Sequence, residues 1–185
     1  MALLSGCVQV SGKSKYEISG STPSVSAQEV SGEYAFSAPP EAASITICVM
    51  EYQDSEWHPS FELPMNIGKE SISSDPLSGT LSISVSQDSS ISLQMDCCGK
   101  EYSWAISKSE NDTAGLNSAY SFLEDPQAIS LNEPIPLAIF AYGERAVVDP
   151  FTTDIYNTPE ALGKWEFLRA TTITFQDTTD TKSGE

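Results

Sequence analysis

The stretch LSISVSQDSSISLQM, residues 81–95, alternates apolar and polar side chains on both sides of a central Gln-Asp-Ser. Such alternation is typical of β-strands with one buried face, whereas a helix would spread the same residues around its circumference. When the chain is folded back at Asp88, three apolar pairs lie opposite each other on one face: Val85 with Ile91, Ile83 with Leu93, and Leu81 with Met95. The stretch therefore predicts an antiparallel hairpin with a single register.

The segments on either side of this hairpin also have the patterns of strands. Residues 97–100 resemble a turn, and three apolar residues then alternate with small ones. We expect strands at 44–52, 81–86, 91–95, 102–106, 120–123, 135–142 and 165–175, with an edge strand near 30–36. A single helical turn is expected at Thr158, where a capping residue precedes a proline. The pattern predicts an all-β domain, an antiparallel β-sandwich of immunoglobulin-like or jelly-roll type with almost no helix.

The two ends of the chain differ from this middle part in composition. Residues 11–43 are rich in Ser, Gly, Ala, Thr and Pro and contain few bulky apolar side chains. A segment that buries little apolar surface cannot offset the entropy lost on ordering. We therefore expect a flexible tether over residues 1–29, the β-sandwich over residues 30–177 and a disordered polar tail over residues 178–185.

The N-terminal residues Leu4-Ser5-Gly6-Cys7 place small side chains directly before a cysteine. This sequence resembles the lipobox of bacterial lipoproteins. The resemblance implies that Cys7 becomes the mature N-terminus, carries diacylglycerol and anchors an exported protein at the bacterial cell surface. Only residues 1–6 precede Cys7, fewer than a secretory signal needs, so we expect the natural start to lie further upstream. The alternative is a free Cys7 in a disordered tail.

The charge of the chain restricts the kinds of partner. There are 26 acidic and 9 basic residues, which gives a net charge of -17 at neutral pH. So much negative charge repels nucleic-acid phosphates and anionic lipid headgroups. No apolar stretch approaches the roughly 20 residues of a membrane-spanning helix. We therefore expect no nucleic-acid binding, contact with a membrane only through the lipid anchor, and a protein or a glycan as the ligand.

One aromatic residue is a candidate for ligand contact. Trp57 lies between Glu56 and His58 in a polar segment that we interpret as a loop, and loops on a rigid scaffold often carry binding residues. Trp104 and Trp165 have the parity of core residues in their predicted strands. The sequence therefore predicts a ligand-binding group of Trp57, Glu56 and His58. The alternative is that Trp57 folds back over the end of the core.

Residues for catalysis and for metal binding are scarce in the sequence. His58 is the single histidine, and no Gly-x-Ser-x-Gly nucleophile motif occurs. We therefore expect no enzyme and no cofactor. Calcium is the one metal that the acidic residues favour, at Asp149, Thr152 and Asp154 or at Glu110, Asn111 and Asp112, although neither group has the spacing of an EF-hand. A pair of carboxylates for glycoside hydrolysis is the catalytic alternative.

The other three cysteines constrain the redox state of an exported domain. Cys48 lies in a predicted buried strand, and Cys97 and Cys98 lie at a predicted turn. An oxidising compartment favours a disulfide from Cys48 to Cys97 or Cys98, which leaves one thiol free. A ring between Cys97 and Cys98 would strain the turn, and three reduced thiols are a further alternative.

Together these features predict a surface-tethered lipoprotein whose non-catalytic β-sandwich binds a protein or a glycan ligand. A carboxylate-dependent glycan hydrolase and a purely structural component of the envelope are the alternatives that the sequence leaves open.

The lipobox resemblance leads to a first prediction. When the gene is expressed with its natural upstream sequence in a bacterial host, the mature protein should begin at Cys7 and carry acyl chains there. Mass spectrometry of the N-terminal peptide measures both properties. A mature protein that begins elsewhere and has an unmodified Cys7 would contradict the lipoprotein hypothesis.

Overall fold

The computed structural model of the chain describes residues 16–26, 28–65, 76–109, 115–144, 150–159 and 165–177. These residues form twelve β-strands, with the following bounds: β1 Glu17–Gly20, β2 Ser24–Val25, β3 Glu29–Ser37, β4 Ser44–Gln53, β5 Glu56–Met65, β6 Ser78–Ser86, β7 Ile91–Cys97, β8 Lys100–Ile106, β9 Asn117–Phe122, β10 Gln127–Ala128, β11 Ile135–Gly143 and β12 Phe167–Gln176. A 3-10 turn lies at Thr153–Asn157. Pro159, which follows the Thr158 cap of the predicted helical turn, also has 3-10 conformation, and residues 160–164 lie outside the described residues.

The strands form two antiparallel sheets that pack face to face. Sheet A has the order β10-β1-β3-β6-β7-β8, with β2 paired to β3, and sheet B has the order β5-β4-β12-β11-β9. Apolar side chains from the inner faces of both sheets form one core. The predicted all-β antiparallel sandwich is thus confirmed. No helix in the described residues has the length and apolar character needed to cross a membrane.

The hairpin predicted from residues 81–95 is confirmed in its register. Leu81 pairs with Met95, Ile83 with Leu93 and Val85 with Ile91. Ser89 has a φ of 66° in the connecting turn, and the Ser86 amide donates to the Ser90 carbonyl at 3.0 Å. Because alternate residues of a strand face opposite sides, this register brings every apolar residue of β6 and β7 to the core.

Two other hairpins have two-residue turns in which both central residues have positive φ. Cys98 and Gly99, with φ of 56° and 74°, connect β7 to β8. Asp54 and Ser55, with φ of 53° and 68°, connect β4 to β5. Such turns match the twist of paired strands. The turn at Asp54 and Ser55 was not predicted. Because the chain reverses there, the residues around Trp57 form strand β5 rather than the predicted loop.

Strand β5 forms one edge of sheet B and contains two prolines, Pro59 and Pro64. Proline has no amide hydrogen for the ladder, so it is tolerated at the edge of a sheet but rarely in its centre. The pairing with β4 shifts register next to Ser60, whose hydroxyl donates to the Val49 carbonyl at 3.1 Å. The prolines explain why the sequence pattern of this strand was missed.

The predicted boundary between tether and domain is wrong. Strand β1 pairs with β3 well before residue 30, and Ile18 is fully buried in the core. Consequently β3, which we predicted as an edge strand, lies inside sheet A between β1 and β6. The composition of the predicted tether is polar on average, and this average does not show that one apolar side chain, Ile18, is buried in the core. Residues 1–15 and 178–185, to which the remaining tether and the tail were assigned, lie outside the described residues.

A buried hydrogen bond links the two sheets in the centre of the sandwich. The Tyr34 hydroxyl on β3 donates to the Leu137 carbonyl on β11 at 2.6 Å, where β11 has a register irregularity between Pro136 and Ala138. Burial raises the pKa of Tyr34, so the phenol stays protonated and can donate. This bond accounts for a polar group in an otherwise apolar layer.

The outer faces of the two sheets differ. On sheet A, polar side chains such as Gln94 and Ser103 are exposed. On sheet B, Ile139 and Ala170 lie on the outward parity and are nevertheless fully buried. The 3-10 turn of the connection from β11 to β12 packs against β11. The described part of this connection, residues 150–159, which we call the crossover because it passes over the outer face of sheet B, therefore covers part of that sheet. Sheet A keeps a polar outer face.

The register of β6 and β7 generates a second prediction. Ile83→Ala should lower the free energy of unfolding by about 2–5 kcal/mol, because Ile83 is fully buried between the sheets. Ser84→Thr, on the opposite face of the same strand, should change it by less than about 0.5 kcal/mol. Chemical denaturation of the two variants measures both values, and equal effects would show that the assignment of the faces is wrong.

Candidate functional site

An ion pair lies between the sheets at one end of the sandwich. Arg169 of β12 and Glu51 of β4 are directly paired in register. Both lie at positions of their strands whose side chains face the space between the two sheets. Their residues are only 3% and 8% exposed. Buried charged residues are rare unless they are paired or have a function, so this pair marks the end of the sandwich as a candidate site.

The guanidinium of Arg169 connects sheet B to two segments of sheet A. Its Nη1 donates to the Ser89 carbonyl, in the turn between β6 and β7, at 2.5 Å. Its Nη2 donates to the Ser107 carbonyl, just after β8, at 3.3 Å. The guanidinium has several N–H groups in a fixed plane, which allows one side chain to hold both segments.

The contact between Arg169 and Glu51 is electrostatic rather than a complete hydrogen bond. Nε lies 3.5 Å from Oε1 of Glu51, and among the described residues Nε has no hydrogen-bond partner. Desolvation lowers the pKa of Arg169, and the negative charge of Glu51 opposes this shift. The positively charged guanidinium of Arg169, whose buried Nε–H makes no complete hydrogen bond, thus forms part of the wall of the site.

An open cleft of about 820 Å³ extends from this pair toward solvent. We name it the Arg169 cleft; its polar lining comes from Glu51, Gln53, Ser60, Ser107, Lys108, Ser109 and Arg169. Of the three basic residues that the structure describes, Lys100, Lys108 and Arg169, two line this cleft. Glu51 lies beside Arg169, and Asp88 interacts electrostatically with Lys108, so the cleft is less negative than the strongly acidic chain around it. A cleft of this volume is in the range that holds small ligands or parts of larger ones.

The three residues predicted to bind a ligand are not brought together. Trp57 lies in β5, where it stacks on Tyr156 with ring centroids 4.8 Å apart, and its indole Nε1 donates to the Tyr156 carbonyl at 2.9 Å. It also packs against Tyr52 on the outward face of sheet B. Because side chains alternate along a strand, Glu56 and His58 lie on the opposite face from Trp57. Trp57 therefore holds the crossover against sheet B.

His58 is the member of the predicted group that lies in the same row of sheet B as the ion pair. It pairs in register with Glu51, so one row across sheet B runs through Arg169, Glu51 and His58. His58 is exposed, whereas the other two are buried. Two of the three predicted residues, Glu56 and His58, thus lie on the inward face of this end of the sheet.

The other two tryptophans are placed near the positions that their parity predicted. Trp104 shares the inward face of β8, but it is half-buried because β8 is an edge strand, and it stacks on Tyr102 at 5.7 Å. Trp165 precedes β12 and packs against Phe151 of the crossover at 6.4 Å. Neither lies in the Arg169 cleft.

The predicted calcium ligands fall largely on residues that the structure does not describe. Asp149 and the group of Glu110, Asn111 and Asp112 lie outside the described residues. Asp154 is exposed and accepts a hydrogen bond from the Thr152 hydroxyl at 3.1 Å. Among described residues there is no group of three or more His, Cys, Asp or Glu side chains arranged to hold a metal ion.

The predicted disulfide from Cys48 to Cys97 or Cys98 is not formed, and all three thiols are free. Cys48 lies on the outward face of sheet B, whereas Cys97 faces the core from sheet A. The core therefore separates Cys48 from the other two thiols. Burial together with the charge of Glu62 raises the pKa of Cys48 to about 11.

The ion pair at the candidate site was missed by sequence reasoning, although a signal for it exists. Glu51 follows Ile45, Ile47 and Val49 on the inward parity of β4. Arg169 lies between Phe167 and Thr171 on the inward parity of β12. A charged residue of each sign, at inward positions of two strands, indicates a buried pair.

The geometry of the pair generates a third prediction. Glu51→Gln keeps the size of the side chain but removes the charge that compensates Arg169. Loss of one partner from a fully buried ion pair costs about 3–5 kcal/mol. Because the cleft is open to water, we expect a loss of at most about 3 kcal/mol in the free energy of unfolding, measured by chemical denaturation.

Glu62→Gln is the matched control, because Glu62 is an exposed carboxylate on the neighbouring strand β5. It should change the free energy of unfolding by less than about 0.5 kcal/mol. The double variant Glu51→Leu with Arg169→Met removes both charges but also removes the donors of the Ser89 and Ser107 carbonyls. It should therefore recover only part of the stability lost in Glu51→Gln. Equal effects of Glu51→Gln and Glu62→Gln would contradict a structural role of the pair.

Comparison of the chain with protein-family models, with curated proteins and with solved structures finds no match in any of the three.

Proposed function

We propose that this protein is an exported, lipid-anchored binding protein of the bacterial cell surface, without catalytic activity, whose β-sandwich binds a protein or a glycan through the Arg169 cleft. The group recognised in the cleft is a carboxylate of that ligand. The observation that carries the proposal is the positive charge of Arg169 in the wall of an open cleft, with the exposed Lys108 in the same lining.

The polar lining of the cleft supports an acidic ligand. A carboxylate is an acceptor-only group, and a guanidinium binds it with charge-assisted hydrogen bonds. Lys108 is exposed at the same cleft and adds a second positive charge. Because most of the surface is acidic, this less negative region would orient an incoming anionic group toward the cleft.

The carboxylates of the cleft favour binding over hydrolysis. A glycoside hydrolase uses two carboxyl groups that flank the bond to be cleaved. Glu51 is the one carboxylate among the described residues that line the cleft, and its charge compensates Arg169. The alternative of a carboxylate-dependent hydrolase therefore has less support than a binding function.

An anchor on Cys7 would hold the domain close to the bilayer. Residues 8–16 separate Cys7 from the first residue of β1. Nine residues span at most about 30 Å when fully extended. This reach is shorter than that of the 22 residues, 8–29, that the predicted boundary placed between Cys7 and the sandwich, which favours a ligand at the cell surface itself.

A binding screen with two arms provides the fourth prediction. One arm is an array of oligosaccharides with and without uronic or sialic acids, and the other is an array of peptides with free and amidated C-termini. We expect binding to members that carry a carboxylate and none to their neutral counterparts. The arm that gives the signal identifies the ligand as a glycan or a peptide.

Two lysine variants test whether the bound group enters the Arg169 cleft. Lys108→Gln and Lys100→Gln each remove one exposed positive charge, but only Lys108 lines the cleft, since Lys100 lies at the other end of β8. Calorimetry with the best ligand should show about fivefold weaker binding for Lys108→Gln, which corresponds to about 1 kcal/mol. Unchanged binding by Lys100→Gln is expected. Equal affinities of the two variants, or no acidic ligand in either arm, would contradict the proposal.

A further inference from the structure

The turn between β7 and β8 holds two thiols side by side. The Sγ atoms of Cys97 and Cys98 are 3.6 Å apart. Cys97 ends β7 with its side chain buried, and Cys98 follows it with a positive φ and an exposed side chain. An atom that binds the exposed Cys98 Sγ is therefore brought next to the buried Cys97 Sγ.

The separation of the two sulfur atoms is that of a chelating pair. Two sulfurs bound to one atom at about 2.3 Å lie about 3.3 Å apart when the bond angle is about 90°, as at pyramidal arsenic, and about 3.8 Å apart at a tetrahedral centre. The observed 3.6 Å lies between these values, so a small movement of the turn suffices. A disulfide would require the sulfur atoms to approach to about 2.0 Å. The geometry favours a bridging atom between the sulfurs over a direct bond.

The turn itself does not require a cysteine. The first central residue of a two-residue turn with positive φ is most often Asn, Asp or Gly. Cys98 occupies this position, and its side chain adds nothing to the pairing of Cys97 with Lys100 that closes the hairpin. The adjacent thiols are therefore explained better by their chemistry than by the turn.

We propose that Cys97 and Cys98 form a dithiol site for thiophilic compounds of trivalent arsenic. An arsenic(III) oxide reacts with both thiols: two S–H bonds and the arsenic–oxygen bonds break, two arsenic–sulfur bonds form, and the oxygen leaves as water with the two protons. Arsenic stays trivalent, so no oxidant or reductant takes part. The site lies at the opposite end of β8 from the Arg169 cleft and is independent of the proposed function.

The protonation of Cys97 favours an oxide over a metal cation. Burial, together with the neighbouring Cys98 and Asp96, raises the pKa of Cys97 to about 12, so the group is a thiol at neutral pH. A metal cation binds thiolates and must displace this proton. An arsenic oxide instead carries the thiol protons away as water, and its reaction has no such cost.

Phenylarsine oxide, with intact-protein mass spectrometry as the readout, tests the proposal. The full chain with Cys7→Ser, which removes the thiol of the anchor position, should form one adduct per molecule that survives an excess of glutathione, a monothiol. Addition of a small dithiol should release it. Absence of an adduct that survives glutathione would overturn the proposal.

Single cysteine variants locate the adduct. Cys98→Ser changes an exposed residue and should abolish the adduct, whereas Cys48→Ser removes the remote thiol and should leave it unchanged. Circular dichroism of both variants verifies that they are folded. An adduct that persists in Cys98→Ser, or that is lost in Cys48→Ser, would contradict the assignment of the site.

Discussion

Arg169 places a permanent positive charge between two sheets whose other inward side chains are mostly apolar. An isolated charge in such a layer costs far more free energy than a folded domain can offset. The surrounding structure compensates it in two ways: Glu51 lies opposite in the ladder, and two backbone carbonyls of sheet A turn toward the guanidinium. The relative position of the two sheets at this end follows from these contacts.

The centre of the sandwich shows the contrasting arrangement. There the link between the sheets is the neutral hydrogen bond from Tyr34 to the Leu137 carbonyl, in a core that also contains Phe36 and Phe175. A neutral bond fits into a close-packed core, whereas a charged group needs polar neighbours and water nearby. The sandwich is therefore closed in its centre and open at the Arg169 end, where the Arg169 cleft has room for a ligand.

The sequence predicted those features that depend on alternation along a single strand. The register of β6 and β7 follows from Leu81, Ile83 and Val85 because only one pairing buries them all. Features that depend on contacts distant in sequence were missed. Pro59 and Pro64 hid an edge strand, and the role of Trp57 depends on Tyr156, 99 residues further along the chain. The ion pair joins Glu51 to Arg169. The sequence shows that each residue lies at an inward position of its strand, but the pairing can be predicted only when β4 and β12 are known to be neighbours.

The edge strand β5 also has a consequence for molecules that are crowded together. A lipid anchor would concentrate the chains in two dimensions, where exposed sheet edges favour aggregation by strand pairing between neighbours. Pro59 and Pro64 remove two amide hydrogens from this edge, and the irregularity at Ser60 interrupts its ladder. The exposed carboxylates of Glu56 and Glu62 add repulsion between like edges. The prolines that obscured this strand in the sequence thus favour separate, unaggregated molecules at high surface density.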